Sequence, residues 1–130
     1  MKIGLTSIMV DDQPRAIAFY IDMLGFRVAQ RFPVGDYEWI GLIAPDGPDD
    51  VQLSLEPAPQ DWVVAFRRGL YDNGIPATAF QSLDLQAEYD RLVARGVVFK
   101  GPPVAHPGLP TMATFDDGCG NWIQLYELLA

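Results

Sequence analysis

Two stretches of this sequence are similar enough to decide its fold. Residues 46–56 read DGPDDVQLSLE, and residues 117–127 read DGCGNWIQLYE. Each begins with an Asp-Gly turn and runs into a strand that contains Gln-Leu and ends on Glu, with one residue of slippage in the turn. Any two turn–strand units share some features, but this common order favours an internal duplication.

The residues before the first copy predict a strand, a helix and two more strands. The first strand is expected at 3–10, and Asp11 and Asp12 supply the cap of a helix that Gly25 ends. The apolar residues of that helix recur at helical spacing, at Ile17, Tyr20, Ile21 and Leu24. Three strands are then expected at about 26–32, 37–44 and 51–57, so the first half has the order βαβββ.

The second half follows the same order after a connecting segment. Residues 58–76 predict a helix with Val63, Phe66 and Leu70 on one side. A strand at 77–83 precedes a helix that Asp84 caps, with an apolar stripe at Leu85, Tyr89, Leu92 and Val93. Strands are expected at about 97–100, 110–116 and 121–128, with a proline-rich loop at 101–108. The predicted fold class is α+β: two tandem βαβββ modules, 1–57 and 77–130, within one domain of residues 1–130.

Composition and charge exclude several classes of function. The formal net charge is −8, and Lys and Arg form no cluster, so a nucleic-acid partner is not expected. No apolar run reaches the roughly 20 residues of a membrane span, and the N-terminus lacks the apolar region of a signal peptide. The single cysteine, Cys119, rules out an internal disulfide and fits a reducing cytoplasm. It has no histidine near it in sequence and is interpreted as inert.

Several motifs resemble the vicinal oxygen chelate superfamily, which contains glyoxalases, bleomycin-resistance proteins and extradiol dioxygenases. The opening motifs are Val10-Asp11-Asp12, Ala18-Phe19-Tyr20 and Leu24-Gly25-Phe26, and the closing stretch 115–125 is similar to the family's final "D-P-x-G-N-x-x-E" strand. The resemblance implies that the two modules form a curved mixed sheet around a concave cavity, and that the protein is a homodimer. It does not specify a reaction, because this superfamily hosts many chemistries.

The residues at the family's metal positions do not form a metal-binding set. The resemblance places those positions at Leu5, Gln52, Ala77 and Gln124. Leucine and alanine donate no lone pair, and a catalytic metal usually needs three or four ligands from His, Cys and carboxylate. The chain has one His and one Cys. We therefore expect no family-type metal and no cofactor, which argues against glyoxalase and dioxygenase activity.

Strand alternation predicts which side chains face the cavity. The candidate ligand contacts are Leu5, Ser7, Tyr37, Trp39, Gln52, Ser54, Ala77, Gln124 and Tyr126. Each also has a structural interpretation: the two glutamines can satisfy each other in a filled barrel, and the aromatic residues can be plain core. The weak catalytic candidates are Glu56 and His106 as bases and Tyr126 as an acid. Their plainer interpretations are an exposed strand end, an incidental loop histidine and a structural tyrosine.

Three functions follow as hypotheses. The first is binding of a small organic molecule in the cavity without a metal, as in family members that sequester antibiotics; the acidic surface suits a cationic drug of the bleomycin kind. The second is a metal-independent lyase, isomerase or epimerase of the same superfamily. The third is a dimeric structural module whose cavity is filled by side chains.

Overall fold

The computed structural model describes residues 1–129 and contains two compact units, Met1–Ala65 and Phe66–Ala130. The helix α2, Asp61–Asp72, contains the boundary between them. No helix within residues 1–129 is both long and apolar enough to cross a membrane.

The Met1–Ala65 unit is a four-stranded mixed sheet with one helical segment. Its strands are β1 Leu5–Met9, β2 Arg27–Val34, β3 Tyr37–Ile43 and β4 Gln52–Glu56, in the order β1-β4-β3-β2. β1 pairs with β4 in parallel, and the remaining pairs are antiparallel. Ile8, Leu42, Leu53 and Leu55 are buried, as are Ala16, Ile17 and Tyr20 of the helical segment.

The helix of this unit begins where it was predicted and changes form midway. The Asp12 carboxylate accepts the Arg15 backbone N–H at 3.0 Å, so the predicted cap is confirmed. The α-helix α1, Gln13–Ala18, continues as a π-helical turn, Phe19–Met23. Gly25, with a φ of +81°, then ends the helical segment.

The Phe66–Ala130 unit contains a three-stranded mixed sheet. Its elements are β5 Thr78–Gln81, α3 Leu85–Ala94, β6 Thr111–Asp116 and β7 Trp122–Glu127, and the strand order is β5-β7-β6. Leu85 and Leu92 of α3 are buried, as are Phe115, Ile123 and Leu125 of the sheet. The two mixed sheets with their helices confirm the predicted α+β class.

The strand predicted at 97–100 is wrong. Residues 97–104 form only two isolated bridges to β6, Phe99 with Phe115 and Val104 with Met112. Gly101, Pro102 and Pro103 separate the two bridges, and a proline nitrogen cannot donate to a strand ladder. The segment therefore touches β6 at two points and does not add a continuous strand.

Two helix faces also differ from the prediction. Phe66 is 66% exposed and Val93 is 45% exposed, although both were predicted to lie on the apolar faces of their helices. On α2 the buried residues are Val63 and Arg67. Arg67 is buried because its guanidinium packs against the backbone of Gly120, which has no side chain to exclude it.

Candidate ligand-binding cavity

The Phe66–Ala130 unit contains a cavity of about 320 Å³, which is at the lower end of the range for small-molecule sites. Its floor comes from β6 and β7, and its wall comes from the proline-rich segment that follows α3. The nine residues that line it are Lys100, Gly101, Pro102, Val104, His106, Met112, Ala113, Thr114 and Gln124.

Backbone hydrogen bonds hold the wall against the sheet. The N–H of Val104 donates to the Met112 carbonyl at 2.8 Å, and the Met112 N–H returns a bond of 3.1 Å. The Lys100 N–H donates to the Thr114 carbonyl at 2.9 Å. These three bonds fix the proline-rich segment at both ends of the cavity, so the cavity's width is set by pairing and not by side-chain packing alone.

Strand alternation places three polar or soft side chains on the cavity floor. Thr114 and Gln124 are cross-strand partners, and Met112 pairs with Tyr126 in the same register. The Gln124 amide donates to the Met112 sulfur, which is a weak acceptor. A ligand carbonyl or carboxylate can replace that sulfur with a stronger bond, so Gln124 is suited to orient a ligand.

Lys100 provides a fixed positive charge near the floor strand. Its ammonium donates to the Gly74 carbonyl at 2.9 Å and lies 4.5 Å from the centre of the Trp122 ring. Trp122 is two residues before Gln124 on the same face of β7. Its ring stacks on the Tyr71 ring, with 5.0 Å between the ring centres. The cavity lining thus contains Lys100 and His106 but no carboxylate.

Tyr71, which stacks on Trp122, is also hydrogen-bonded to Asp116. Its hydroxyl donates to the Asp116 carboxylate at 2.5 Å. That hydrogen bond, with a smaller contribution from burial, raises the pKa of Tyr71 to about 12. The Tyr71 carbonyl also accepts the Trp122 indole N–H at 3.0 Å. Tyr71 therefore holds in place the ring on which Lys100 rests.

This contact predicts a pH dependence that is specific to Tyr71. Because the folded pKa lies above the unfolded value, the contact stabilises the fold below about pH 10 and this contribution is lost as the pH rises through about 12. Subtracting the tyrosinate absorbance titration of Tyr71→Phe from that of the wild type should show one transition near pH 12. In an Asp116→Asn background the same difference should move to lower pH. A difference transition near pH 10 in the wild type would show that the hydrogen bond is not formed.

The other residues predicted to contact a ligand lie on the Met1–Ala65 sheet. Leu5 and Tyr37 are 45% and 46% exposed, Ser7 is exposed, and Trp39 and Gln52 are half-buried. Ser54, only 1% exposed, donates to Glu56, which is half-buried. The Gln52 amide lies over Gly41, where a Cβ would overlap its Oε1.

In the Phe66–Ala130 unit the structure brings Gln124 and His106 to the same cavity, while Tyr126 is half-buried on β7. Ala77 lies outside β5, and its N–H donates to the Trp122 carbonyl at 2.9 Å. The parallel partner of Gln124 is Ala79, in the position that Leu5 holds opposite Gln52. The residue equivalent to Leu5 is therefore Ala79, and alanine again donates no lone pair.

Sequence reasoning missed Lys100, Met112 and Thr114. Alternation along β6 could have identified Met112 and Thr114, since they share a face as Gln124 and Tyr126 do on β7. Nothing in the sequence around Lys100 points to the cavity, because its position depends on the bridges to β6.

The structure thus contains two mixed sheets with their helices, and a small open cavity lies on the second sheet. Residues 2–125 match the Glyoxalase/Bleomycin resistance protein/Dioxygenase superfamily, and the chain belongs to that family. The uncharacterized protein YurT of Bacillus subtilis (strain 168) is 42% identical over 98% of this chain and 99% of its own.

Two solved structures are similar over nearly their whole length. UcmS2 is 31% identical with a TM-score of 0.81, and the match covers 97% of each chain. TnmS3, an antibiotic-binding protein from Streptomyces sp. CB03234, is 27% identical with a TM-score of 0.73, over 99% of this chain and 97% of its own.

The residues at the family's metal positions do not fit a metal. Leu5 and Ala79 have no donor atom, and their partners Gln52 and Gln124 offer one amide oxygen each. Among residues 1–129, no three His, Cys, Asp or Glu side chains lie close enough together to hold an ion.

Proposed function

We propose that this protein binds a small organic molecule in the cavity of the Phe66–Ala130 unit, as a sequestration or resistance protein, without a metal ligand set. The observation that carries the proposal is the open cavity of about 320 Å³ above the Gln124 amide. The likeness to TnmS3, an antibiotic-binding protein, supports the same class of function.

The lining residues indicate what the ligand carries. Val104, Met112 and Pro102 offer apolar contact, while Lys100, His106 and Thr114 offer hydrogen-bond donors. This set suits a flat, largely apolar molecule with a carbonyl or carboxylate group. It does not suit the cationic drug that the acidic composition suggested, because Lys100 and His106 line the cavity and no carboxylate does.

The two alternative functions have less support. The open cavity of the Phe66–Ala130 unit favours ligand binding over the dimeric structural module. For a metal-independent lyase or isomerase, Glu56 and His106 remain the candidate bases and Tyr126 the candidate acid. Glu56 accepts a hydrogen bond from Ser54 on the Met1–Ala65 sheet, whereas His106 lines the cavity of the other unit, so the geometry does not assemble a base and an acid at one site. Homodimerisation, which the family resemblance supports, and a cytoplasmic location, which the single cysteine fits, stay proposals.

The cavity predicts binding that depends on its free volume. We expect 2-naphthoate to bind with a Kd of about 1 mM or tighter, from a contribution of about 0.3 kcal/mol per heavy atom. Replacing Thr114 with Trp should fill the cavity and weaken binding at least about tenfold. Isothermal titration calorimetry measures the Kd, and the Trp122 indole N–H signal in a ¹H–¹⁵N spectrum reports the location.

Thr6→Trp is the matched control, because Thr6 is an exposed strand residue of the other unit. It should leave the Kd for 2-naphthoate unchanged. Equal affinity in Thr114→Trp and wild type, with both folded by circular dichroism, would rule out this cavity as the binding site.

A further inference from the structure

Three polar side chains form a hydrogen-bonded chain on the Met1–Ala65 sheet, separate from the cavity of the proposed function. The Ser7 and Ser54 hydroxyl oxygens are 2.9 Å apart, and the Ser54 hydroxyl donates to Glu56 Oε1 at 2.8 Å. Ser7 and Ser54 are direct partners in the parallel pair of β1 and β4, and Glu56 is two residues further along the same face. The sheet register therefore builds the chain.

The direction of this chain follows from counting hydrogens. A serine hydroxyl has one hydrogen, and an ionised carboxylate has none. Because Ser54 donates its hydrogen to Glu56, Ser54 can only accept from Ser7, and Ser7 must donate. Ser54 is only 1% exposed, so water has little access to replace either bond. The exposed Ser7 oxygen is left with lone pairs alone, as a fixed acceptor.

The negative charge of the Met1–Ala65 unit favours a ligand that is both a cation and a hydrogen-bond donor. Met1–Ala65 has ten acidic and four basic residues, whereas Phe66–Ala130 has seven acidic and five basic. Most of the protein's negative charge therefore belongs to the unit with the Ser7 acceptor. A protonated amine is attracted by this negative charge, and its N–H groups can donate to the Ser7 oxygen.

An aromatic surface lies on the same face of the sheet as the acceptor. Gly41 is the partner of Ser54 on β3, and Trp39 is two residues away on the same face, with its ring 6.3 Å from that of Phe32. Ser7 on β1 and Trp39 on β3 are thus two strand spacings apart across the sheet and two residues apart along it, about 12 Å between their backbones. A bicyclic aromatic group that stacks on the Trp39 ring and carries one methylene arm extends its ammonium toward Ser7.

We propose that this face binds the protonated amine of a small aromatic molecule, with Ser7 as the contacting acceptor and Trp39 beneath the ring. Ser54 and Glu56 are positioning residues, because they fix the Ser7 hydrogen away from the ligand. The face therefore selects donors over acceptors, which is opposite to the preference of the cavity in the other unit.

The test separates the hydrogen bond from charge with two probes. 2-Naphthylmethylammonium carries three N–H donors, and its trimethylated analogue carries the same charge and none. We expect the primary ammonium to bind the wild type about tenfold more tightly, because a hydrogen bond to a charged group is lost in the analogue. Titrations followed by ¹H–¹⁵N spectra should move the Trp39 indole signal and leave that of Trp122 in place.

Three variants test the chain itself. Ser7→Ala removes the acceptor and should lower the ratio of the two Kd values to about 1. Ser54→Ala keeps the Ser7 lone pairs but frees its hydroxyl to rotate, so it should lower the ratio only in part. Glu56→Gln should also lower it, because an amide can donate to Ser54 and let the chain reverse. Asp46→Asn, which removes one charge from the same unit, should keep the ratio near ten.

Several results would overturn the proposal. One is a ratio near 1 in the wild type, and another is an unchanged ratio in Ser7→Ala. A shift of the Trp122 signal alone, or no shift of Trp39, would place the amine elsewhere or nowhere. A loss of the preference in Asp46→Asn equal to that in Glu56→Gln would assign the effect to net charge. None of these results bears on 2-naphthoate binding, so this proposal and the proposed function fail separately.

Discussion

Replacing Asp117 with alanine is expected to lower the free energy of unfolding by about 4 kcal/mol, since each buried donor left without a partner costs about 1–3 kcal/mol. Asp117 is fully buried in the turn before β7. Its Oδ1 accepts the backbone N–H groups of Cys119 at 2.8 Å and Asn121 at 3.1 Å, and its Oδ2 accepts the Asn121 side-chain amide at 3.0 Å. Alanine removes the acceptor of these three hydrogen bonds in a place where water has little access. Urea denaturation followed by circular dichroism measures the loss.

Two variants show whether the loss comes from these hydrogen bonds. Asp117→Asn keeps one carbonyl oxygen for the two backbone donors and should lose about half as much. Asp116→Ala removes a neighbouring carboxylate that is half-buried and accepts from Gly118 and Tyr71, and should cost about 1–2 kcal/mol. A change of less than about 1 kcal/mol in Asp117→Ala would contradict the assignment. The turn also sets where β7 begins, so its loss should displace Gln124 from the cavity floor.

Replacing Gly120 with alanine is the second large change, at an expected cost of about 2–4 kcal/mol. The φ of Gly120 is +92°, a left-handed conformation that costs a residue with a Cβ about 1–2 kcal/mol. An added Cβ would also overlap Nη1 of Arg67 and lie 3.0 Å from its Cζ. Arg67 is 9% exposed, so its guanidinium has little room to move away. Thermal and urea unfolding measure the combined effect.

Gly108→Ala is the matched control for backbone strain. Gly108 has a φ of +76° and nothing within 4 Å of an added Cβ, so it should show the strain cost alone. In an Arg67→Ala background, Gly120→Ala should cost no more than Gly108→Ala, because the overlap has been removed. Equal costs of Gly120→Ala and Gly108→Ala in the wild-type background would show that Arg67 does not restrict this turn.

These two residues show why the closing motif can be recognised but not fully explained from the sequence. The Asp-Gly pair and the following strand were predicted from residues 117–127, since a turn and its strand depend on neighbours a few residues away. The role of Gly120 was not predicted. It depends on Arg67, which is more than fifty positions earlier. Because Arg67 is charged, the sequence around it does not indicate that its side chain is buried.

The candidate site residues were also only partly predictable from the sequence. Alternation correctly paired Ser54 with Glu56 and Gln124 with Tyr126 on shared strand faces, because side chains two residues apart point to one side of a sheet. It could not show that Ser7 reaches Ser54, nor that Ala79 and not Ala77 lies opposite Gln124. Register between strands is decided by pairing over the whole sheet, so one strand's sequence does not specify it.

The sequence by itself determined the helix caps at Asp12 and Asp84, the α+β class and the family, because each depends on short-range chemistry or on recognisable motifs. Only the tertiary structure decided that Phe99 meets β6 in an isolated bridge, that Lys100 reaches the cavity, and that Ser7 is hydrogen-bonded to Ser54. The physical reason is that each of these depends on a partner at least a dozen residues away. A local pattern limits what such a partner can be, but only the folded chain brings it into contact.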